Sequence, residues 1–259
     1  MTLGIGSCAK LAPGTVALVT GGGRGIGRAT VLRLAEAGAT VLIGYNSDRE
    51  AAETLAKTLA ATLPGAGHEA LHMALEDTGT LVAAADQVRA RHGRLDILVN
   101  NGGATTPVPA ADLDGLDDAL FDAILAVNLR GVFATVRALR GLLAVPERAV
   151  IVNVSSIAAR TGMGSNLAYC AAKAGVDALT IGLAKALAPR VRVLGVAPAG
   201  VDTGFVRGRG PADFAAMAQR VPLAKTTAPD DVARAILACI TELTSSTGIV
   251  IPVDEGRHL

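Results

Sequence analysis

Short runs of β-branched and other apolar residues alternate along the chain with longer, alanine-rich stretches. Seven of these runs have the length of strands: TVALVT (15–20), TVLIGY (40–45), EALHMAL (69–75), LDILVN (95–100), AVIVNVSS (149–156), VRVLGVAP (191–198) and GIVIPV (248–253). Residues 25–37, 49–61, 81–91, 121–143, 168–188 and 229–241 have the 3.6-residue periodicity of helices. Strands that alternate with helices form parallel sheets. The pattern therefore predicts an α/β fold in which helices cover both faces of one parallel sheet.

No compositional break or linker divides the 259 residues, so we expect one domain over residues 1–259. The least regular segment is the insert at 204–227, which glycine and proline interrupt. Connections that leave the carboxyl ends of parallel strands border the ligand crevice. We therefore expect this insert to cover a substrate.

Charge and composition narrow the classes of partner. The net charge is +1 and no basic stripe is present, which argues against nucleic acid. No segment approaches 18 consecutive apolar residues and the start does not resemble a signal peptide, so we expect a soluble, cytoplasmic protein without a membrane partner. Cys8, Cys170 and Cys239 are predicted to be buried free thiols, and the strand-like spacing of His68 and His72 argues against a metal site.

The first strand runs into TGGGRGIG (20–27), which contains five glycines and then opens a helix. A helix amino terminus reached through bare backbone binds anions, whereas an ordinary tight connection needs only one or two glycines. The loop lacks the lysine of a phosphate-binding P-loop. It also lacks the literal G-x-G-x-x-G fingerprint, because Gly21, Gly25 and Gly27 have the wider spacing G-x-x-x-G-x-G.

Three further motifs follow this loop in order: NNGG at 100–103, NVSS at 153–156 and YCAAK at 169–173. Together the four motifs resemble the short-chain dehydrogenase/reductase family, from about Val16 to the last strand. The resemblance implies a doubly wound, Rossmann-type sheet of seven strands and nicotinamide-dependent oxidation of an alcohol or reduction of a carbonyl. It is closest to 3-oxoacyl-acyl-carrier-protein reductases and broad ketoreductases. Since the family is often tetrameric through two long helices, we expect a homo-tetramer or homo-dimer.

The choice of cofactor depends on the end of the second strand. NAD-selective sites usually place an acid there, about 20 residues past the first glycines, to bind the ribose 2'-hydroxyl. In this chain Asn46 and Ser47 occupy the region, and no carboxylate precedes Asp48. Arg24 in the glycine loop is able to pair with a 2'-phosphate, although a solvated loop charge is the alternative. The sequence therefore favours NADP(H) over NAD(H).

The resemblance also implies a set of cofactor contacts. They are Gly21, Arg24, Gly25, Ile26, Gly27, Asn46, Ser47, Asn101, Gly102, Tyr169, Lys173, Pro198, Val201 and Thr203. The chain departs from the family at the end of the third strand, where Ala74 or Leu75 stands in place of an aspartate that contacts adenine. Asp77 and Glu76 are nearby substitutes, and the sequence does not choose between them. The carboxyl terminus, VDEGRHL, replaces a commoner Asp-Gly-Gly.

Tyr169 and Lys173 lie four residues apart, on one face of a predicted helix. Moving a phenol pKa from about 10 to about 7 requires roughly 4 kcal/mol, which we expect the ammonium to supply, so that Tyr169 acts as general acid and base. The resemblance assigns the substrate oxygen to Ser156, with Ser155 as the competing choice. It assigns Asn128 to a water that links Lys173 to solvent, and a helix kink is the other reading. A non-catalytic dinucleotide-binding redox sensor is the alternative function, against which this tetrad argues.

Overall fold

The centre of the molecule is a parallel sheet. The computed structural model describes residues 10–63, 67–206, 208 and 210–259, and in these residues seven strands follow the spatial order β3-β2-β1-β4-β5-β6-β7. The strands are β1 Val16–Val19, β2 Thr40–Tyr45, β3 Glu69–His72, β4 Ile97–Asn100, β5 Ala149–Val154, β6 Val191–Pro198 and β7 Val250–Val253. Every pairing in the sheet is parallel. The predicted strand count and direction are confirmed.

Helices join the strands. They are α1 Gly25–Glu36, α2 Arg49–Thr62, α3 Thr78–Arg91, α4 Asp118–Leu125, α5 Gly131–Leu143, α6 Ala158–Thr161, α7 Leu167–Leu187, α8 Pro211–Ala218 and α9 Pro229–Thr241. A π-helical turn, Ala126–Arg130, connects α4 to α5. The single helix predicted over 121–143 is therefore interrupted, and the insert at 204–227 contains α8, which the sequence pattern did not predict. Arg207 and Arg209 of this insert lie outside the described residues.

Strand side chains alternate between two hydrophobic cores, one on each face of the sheet. On one face Val19, Ile43 and Val99 pack with residues of α1, α2 and α9. On the other face Leu18 and Leu42 pack with residues of α3, α5 and α7. Because successive residues of a strand point to opposite faces, nearly unbroken apolar strands are required when helices cover both faces. The doubly wound, Rossmann-type α/β prediction is confirmed.

Acidic or amide side chains cap four of the described helices, α2, α3, α4 and α7. Asp48 accepts a hydrogen bond from the amide of Ala51 at 3.1 Å to cap α2, and Asp77 accepts one from Gly79 at 2.8 Å to cap α3. Such caps satisfy backbone donors that the first helical turn leaves unpaired. Helix α1 is different, because no side chain caps it at Arg24 and its first turn contains no acid. Its amino terminus is therefore left with unpaired donors.

Two helical segments, Asp118–Leu143 and Leu167–Leu187, have the length and mean hydropathy (1.6 and 1.3) of membrane spans, which the sequence analysis did not anticipate. Both belong to the layer that packs on the second face of the sheet, through residues such as Leu139 and Ala184. This packing accounts for their apolar composition. Cys170 and Cys239 are buried free thiols, as predicted, whereas Cys8 lies outside the described residues.

Candidate active site

A cavity of about 500 Å³ opens at the carboxyl ends of the strands. It is lined by the connections that follow β1 to β6 and by Arg257 after β7. The chain continues from β1 to one side of the sheet and reaches β4 on the other, so the crevice lies at the point where the strand order reverses. Open α/β sheets bind their ligands at this position. The fold therefore brings most of the motifs singled out in the sequence to one cavity.

The glycine loop forms one wall of this cavity. Gly21 and Gly25 have φ angles of +62° and +53°, which side chains other than glycine rarely adopt. Asn101, after β4, holds the loop by donating from Nδ2 to the carbonyl oxygens of Thr20 at 3.0 Å and Gly21 at 3.1 Å. The uncapped start of α1 faces this wall through Gly25 and Ile26. The arrangement fits the pyrophosphate of a dinucleotide, an anion that completes an open helix terminus.

Gly27, unlike Gly21, Gly23 and Gly25 of the same loop, does not line the cavity. It is buried beneath the loop, where a Cβ would overlap the carbonyl oxygen of Gly21 and lie 2.6 Å from Nδ2 of Asn101. Gly27 is predicted to contact the cofactor, and the structure places it behind the loop residues that line the cavity. Its absent side chain permits the close approach of α1 to the loop that does line the cavity.

We expect Gly27→Ala to lower the free energy of unfolding by about 1–3 kcal/mol, because the added methyl group has no space beside the Gly21 carbonyl. Thermal unfolding measures this change. Gly23→Ala is the matched control, since a Cβ there has no neighbour closer than the amide of Ala52 at 3.6 Å. Equal melting temperatures for the two variants would contradict the packing explanation.

The far end of the cavity lies beside β2. Arg24, Asn46 and Ser47 line it, as does Asp48. Arg24 is exposed, and within the described part of the chain its guanidinium has no hydrogen-bond or ion-pair partner. The Asp48 carboxylate already accepts the cap bond of α2, and Nδ2 of Asn46 donates to Glu76 Oε1 at 3.2 Å. This end of the cavity therefore holds the unpaired guanidinium of Arg24 and the carboxylate of Asp48, which is already hydrogen-bonded.

The structure also decides which residues after β3 reach the cavity. Leu75 and Glu76 line it, whereas Ala74 and Asp77 do not. Gly102 lies against this wall, because a Cβ there would come within 2.8 Å of Leu75 Cδ1. The acid usual in the resembled family is thus replaced by an apolar side chain at the cavity surface, with Glu76 beside it.

Tyr169, Lys173 and Ser156 come together where β5 and α7 meet. Asn166 caps α7 by accepting a hydrogen bond from the Tyr169 amide at 2.7 Å, which fixes where the first turn begins. Lys173 is buried, its Nζ donates to the carbonyl oxygen of Val154 at 2.8 Å, and the same Nζ lies 5.6 Å from the centre of the Tyr169 ring. All three residues line the cavity.

The pKa values at this junction differ from the expectation. Burial raises the pKa of the Tyr169 phenol to about 12, although contact with Ser156 lowers it. Burial lowers the pKa of the Lys173 ammonium to about 8, against the charge of Asp177, which raises it. The expected fall of the phenol pKa towards 7 is therefore not found. The free-energy cost of removing the phenolate from water outweighs the stabilisation that the nearby ammonium could give it. The ammonium instead donates a hydrogen bond to a backbone carbonyl.

The two adjacent serines have separate surroundings. Both serines line the cavity, and the Oγ of Ser156 accepts a hydrogen bond from the Ala158 amide at 3.1 Å. Ser155 is buried, with its Oγ donating to the Asp177 carboxylate and lying 3.3 Å from the Lys173 carbonyl oxygen. The chain thus turns one hydroxyl towards the cavity and the other into the packing between sheet and helix.

Asn128 lies in the π-helical turn and does not line the cavity. Its Nδ2 donates to the carbonyl oxygens of Ala104 at 2.7 Å and Ile124 at 2.9 Å. Its Oδ1 is buried and has no hydrogen-bond partner among the described residues. Asn128 therefore does hold an irregular helical turn, the alternative weighed for it, while retaining one acceptor for another group.

Several large apolar side chains line the same cavity as the phenol. The Phe205 ring lies 6.0 Å from the Tyr169 ring, and Met163, Phe214 and Met217 complete this wall. The predicted contacts Pro198, Val201 and Thr203 line the cavity after β6. Thr203 faces the glycine loop, because a Cβ on Gly25 would come within 3.0 Å of it.

Sequence reasoning missed one lining residue of distinct chemistry, Arg257, which follows β7. The signal that would have found it is the one used for the other motifs. A polar residue shortly after a parallel strand lies at the carboxyl edge of the sheet.

Comparison with known proteins agrees with this geometry. The model of the short chain dehydrogenase family matches residues 15–213. The cis-4-hydroxycyclohexanecarboxylate dehydrogenase of Sinomonas cyclohexanicum is 40% identical, over 93% of this chain and 95% of that protein. The gluconate 5-dehydrogenase of Burkholderia cenocepacia, solved with NADP and tartrate, has a TM-score of 0.86 and 29% identity, over 96% of each chain.

A second solved structure, the 3-ketoacyl-(acyl-carrier-protein) reductase of Brucella melitensis with NADH, has a TM-score of 0.86 and 30% identity, over 95% of this chain and 99% of that one. Enzymes of this family bind nicotinamide cofactors, and these two neighbours contain one of each kind. Together with the match of the family model, they show that the chain belongs to the short-chain dehydrogenase/reductase family of oxidoreductases.

Proposed function

We propose that this protein transfers a hydride between NADP(H) and a carbonyl compound or secondary alcohol, with Tyr169 as the general acid and base. The observation that carries the proposal is the convergence of Tyr169, Ser156 and Lys173 on one cavity beside the uncapped start of α1. When bound, the nicotinamide supplies or accepts the hydride. The remaining steps belong to the chain itself.

Ser156 would hold the substrate oxygen beside the Tyr169 hydroxyl. A phenol with a pKa of about 12 is protonated at neutral pH, so Tyr169 is ready to donate a proton to the oxygen of a carbonyl that is being reduced. Lys173 lies close enough to stabilise the resulting phenolate. Asn128, through its unpartnered Oδ1, would bind a water that returns a proton to Lys173 from solvent.

The residues beside β2 support NADP(H) as the cofactor. A 2'-phosphate would find the Arg24 guanidinium without a competing partner, and Asn46 and Ser47 would offer hydrogen-bond donors. The one carboxylate at the end of β2, that of Asp48, already caps α2. An acid occupied in this way is poorly placed to bind a ribose hydroxyl in the manner of NAD-selective sites.

We expect Arg24→Gln to lower the ratio of kcat/KM for NADPH to kcat/KM for NADH about 30-fold, because a charge-assisted contact contributes about 1.5–3 kcal/mol. Steady-state kinetics with both nucleotides measure the ratio. Arg28→Gln is the control, since it removes the same charge one helical turn further along, outside the cavity lining. An equal fall in both variants would mean that only long-range attraction is involved.

The substrate wall is apolar, which suits a small organic carbonyl or alcohol better than a sugar. One relative is named as a dehydrogenase of a cyclic hydroxy acid. One structural neighbour is named as a reductase of 3-ketoacyl groups. A panel of cyclic ketones, oxo acids and acyl thioesters, with NADPH absorbance as the readout, tests the proposal. Cofactor binding without oxidation by any of these compounds would instead favour a dinucleotide-binding sensor.

We also propose a homo-tetramer or homo-dimer in the cytoplasm. Helices α5 and α7 expose Phe133 (43%) and Ile181 (47%), large apolar side chains on the two helices expected to pair subunits. Light scattering of the purified protein tests the assembly.

A further inference from the structure

The residues after β7 form a tightly organised loop, Asp254 to His258, which we call the carboxyl-terminal loop. Asp254 is buried, and its carboxylate accepts hydrogen bonds from the amides of Gly256 at 3.1 Å and His258 at 2.8 Å. The same carboxylate lies 2.7 Å from Nδ1 of His258. A buried acid that accepts several bonds from one loop fixes the backbone path of that loop.

The carboxyl-terminal loop is also fastened to the insert that covers the cavity. The amide of Leu223 donates to the Glu255 carbonyl oxygen at 3.2 Å, and Lys225 lies 3.5 Å from the Glu255 carboxylate. Gly256 packs so closely on Pro222 that a Cβ would come within 2.8 Å of its ring. Glu255 has a φ of +59°, a left-handed conformation that is unfavourable for a non-glycine residue. Strain of this kind persists where surrounding contacts hold a loop in place.

The carboxyl-terminal loop places Arg257 at the wall of the cavity that Tyr169 also lines. Val253, the last residue of β7, pairs with Pro198 of β6, so the carboxyl-terminal loop lies beside Ala199 and Gly200. Arg257 is partly buried and lines the cavity with these residues and Met217. In residues 10–63, 67–206, 208 and 210–259, its guanidinium has no hydrogen-bond or ion-pair partner.

The other charged groups of the cavity wall lie elsewhere or are engaged. Arg24, Asp48 and Glu76 surround the end beside β2 and β3, and Lys173 donates to a backbone carbonyl. On the cavity side Arg257 adjoins Ala199, Gly200 and Met217. The acids Asp254 and Glu255 of its own loop border a small adjoining hollow, where Asp254 is engaged by loop amides and His258, and Glu255 lies beside Lys225. A partly buried guanidinium without a counter-ion in such surroundings is a ready site for an anion, because a low local dielectric strengthens the attraction.

We propose that Arg257 binds a carboxylate of the substrate, so that the enzyme acts on oxo acids or hydroxy acids whose carboxylate is separated from the reacting carbon. This inference rests on the proposed function. A single planar guanidinium matches a monoanionic carboxylate in charge and in its two parallel hydrogen bonds. The neutral ester of the same acid would leave Arg257 unpaired. The enzyme should therefore prefer the acid over its ester.

The test compares 4-oxopentanoate and 4-oxocyclohexanecarboxylate with their methyl esters, using NADPH oxidation by the intact enzyme. We expect the wild-type protein to prefer each acid over its ester by at least about tenfold in kcat/KM. Arg257→Gln should remove this preference, chiefly by lowering kcat/KM for the acids at least about tenfold towards the values for the esters. Arg220→Gln is the control, because Arg220 is exposed on the insert and does not line the cavity.

Wild-type turnover of the esters as fast as the acids would overturn the inference and leave the proposed function intact. A rise in KM for NADPH in Arg257→Gln, with acids and esters equally affected, would also overturn it, since the arginine would then serve the cofactor.

If no probe oxidises NADPH, the proposed function fails. Binding of cyclohexanecarboxylate to the enzyme–NADPH complex, followed by nucleotide fluorescence, then decides: equal affinity in wild type and Arg257→Gln overturns the contact, and about tenfold weaker binding in the variant supports it.

Discussion

Tyr169→Phe is expected to lower kcat for carbonyl reduction about 10³-fold, the middle of the range for loss of a positioned general acid. The change removes one oxygen atom and leaves the ring beside Phe205, so the cavity wall keeps its shape. A fall of this size corresponds to about 4 kcal/mol of transition-state stabilisation. Single-turnover oxidation of bound NADPH measures it without interference from product release.

Two measurements separate this effect from damage to the fold. The affinity for NADPH, from nucleotide fluorescence, should stay within about twofold, because the expected pyrophosphate contacts come from the glycine loop and the start of α1. The melting temperature should change little, since the substitution removes one hydroxyl at the cavity wall and leaves the packing of the ring in place. A variant that retains more than a tenth of wild-type kcat would remove Tyr169 from the acid role.

The architecture was predictable because it depends on repeated, redundant signals. Each strand is a nearly continuous apolar run, and the crossover rule for parallel strands then decides which end of the sheet holds the connections. If one strand had lacked a clear apolar run, the alternation of strands and helices would still have been recognisable. The second strand and the sixth, 40–45 and 191–198, agree with the structure to the residue.

Local irregularities were not predictable from periodicity. The π-helical turn around Asn128 keeps the same apolar spacing as its flanking helices, so a helical pattern runs through it unbroken. It is stabilised by a side-chain bond to Ala104, which is distant in the sequence. Helix α8 begins where Asp213 accepts a hydrogen bond from the Gly210 amide at 2.8 Å, and its short length gives too few turns for a periodic signal.

Within the site, the sequence identified residue types better than their environments. The motif predicts that Tyr169 and Lys173 share a helix face, yet the pKa of each depends on burial and on where the ammonium proton is directed. Neither quantity is encoded in a four-residue spacing. The same limitation applies to Gly27, whose role beneath the loop follows from the position of the Gly21 carbonyl. Arg257 was missed because the resemblance assigns no cofactor or substrate contact to the carboxyl-terminal VDEGRHL, which departs from the family pattern.

The pair Ser155 and Ser156 shows how the structure sharpens a choice that the sequence left open. The hydroxyl of Ser156 faces the cavity beside Tyr169, whereas that of Ser155 donates to the Asp177 carboxylate behind it. One chemical change, serine to alanine, therefore has different consequences at adjacent positions. The first removes a donor to the reacting oxygen, and the second removes a partner from a partly buried acid.

We expect Ser156→Ala to lower kcat about 10²-fold with little change in melting temperature, because a hydrogen bond to the developing oxyanion is strongest in the transition state. Ser155→Ala should retain kcat within a few-fold and instead lose about 1–3 kcal/mol of unfolding free energy, since Asp177 is left with an unmet acceptor. Steady-state kinetics and denaturant unfolding of both variants measure the two quantities. The reverse pattern, with kcat lost in Ser155→Ala and retained in Ser156→Ala, would exchange their roles, and it would require the loop after β5 to turn by one residue when substrate binds.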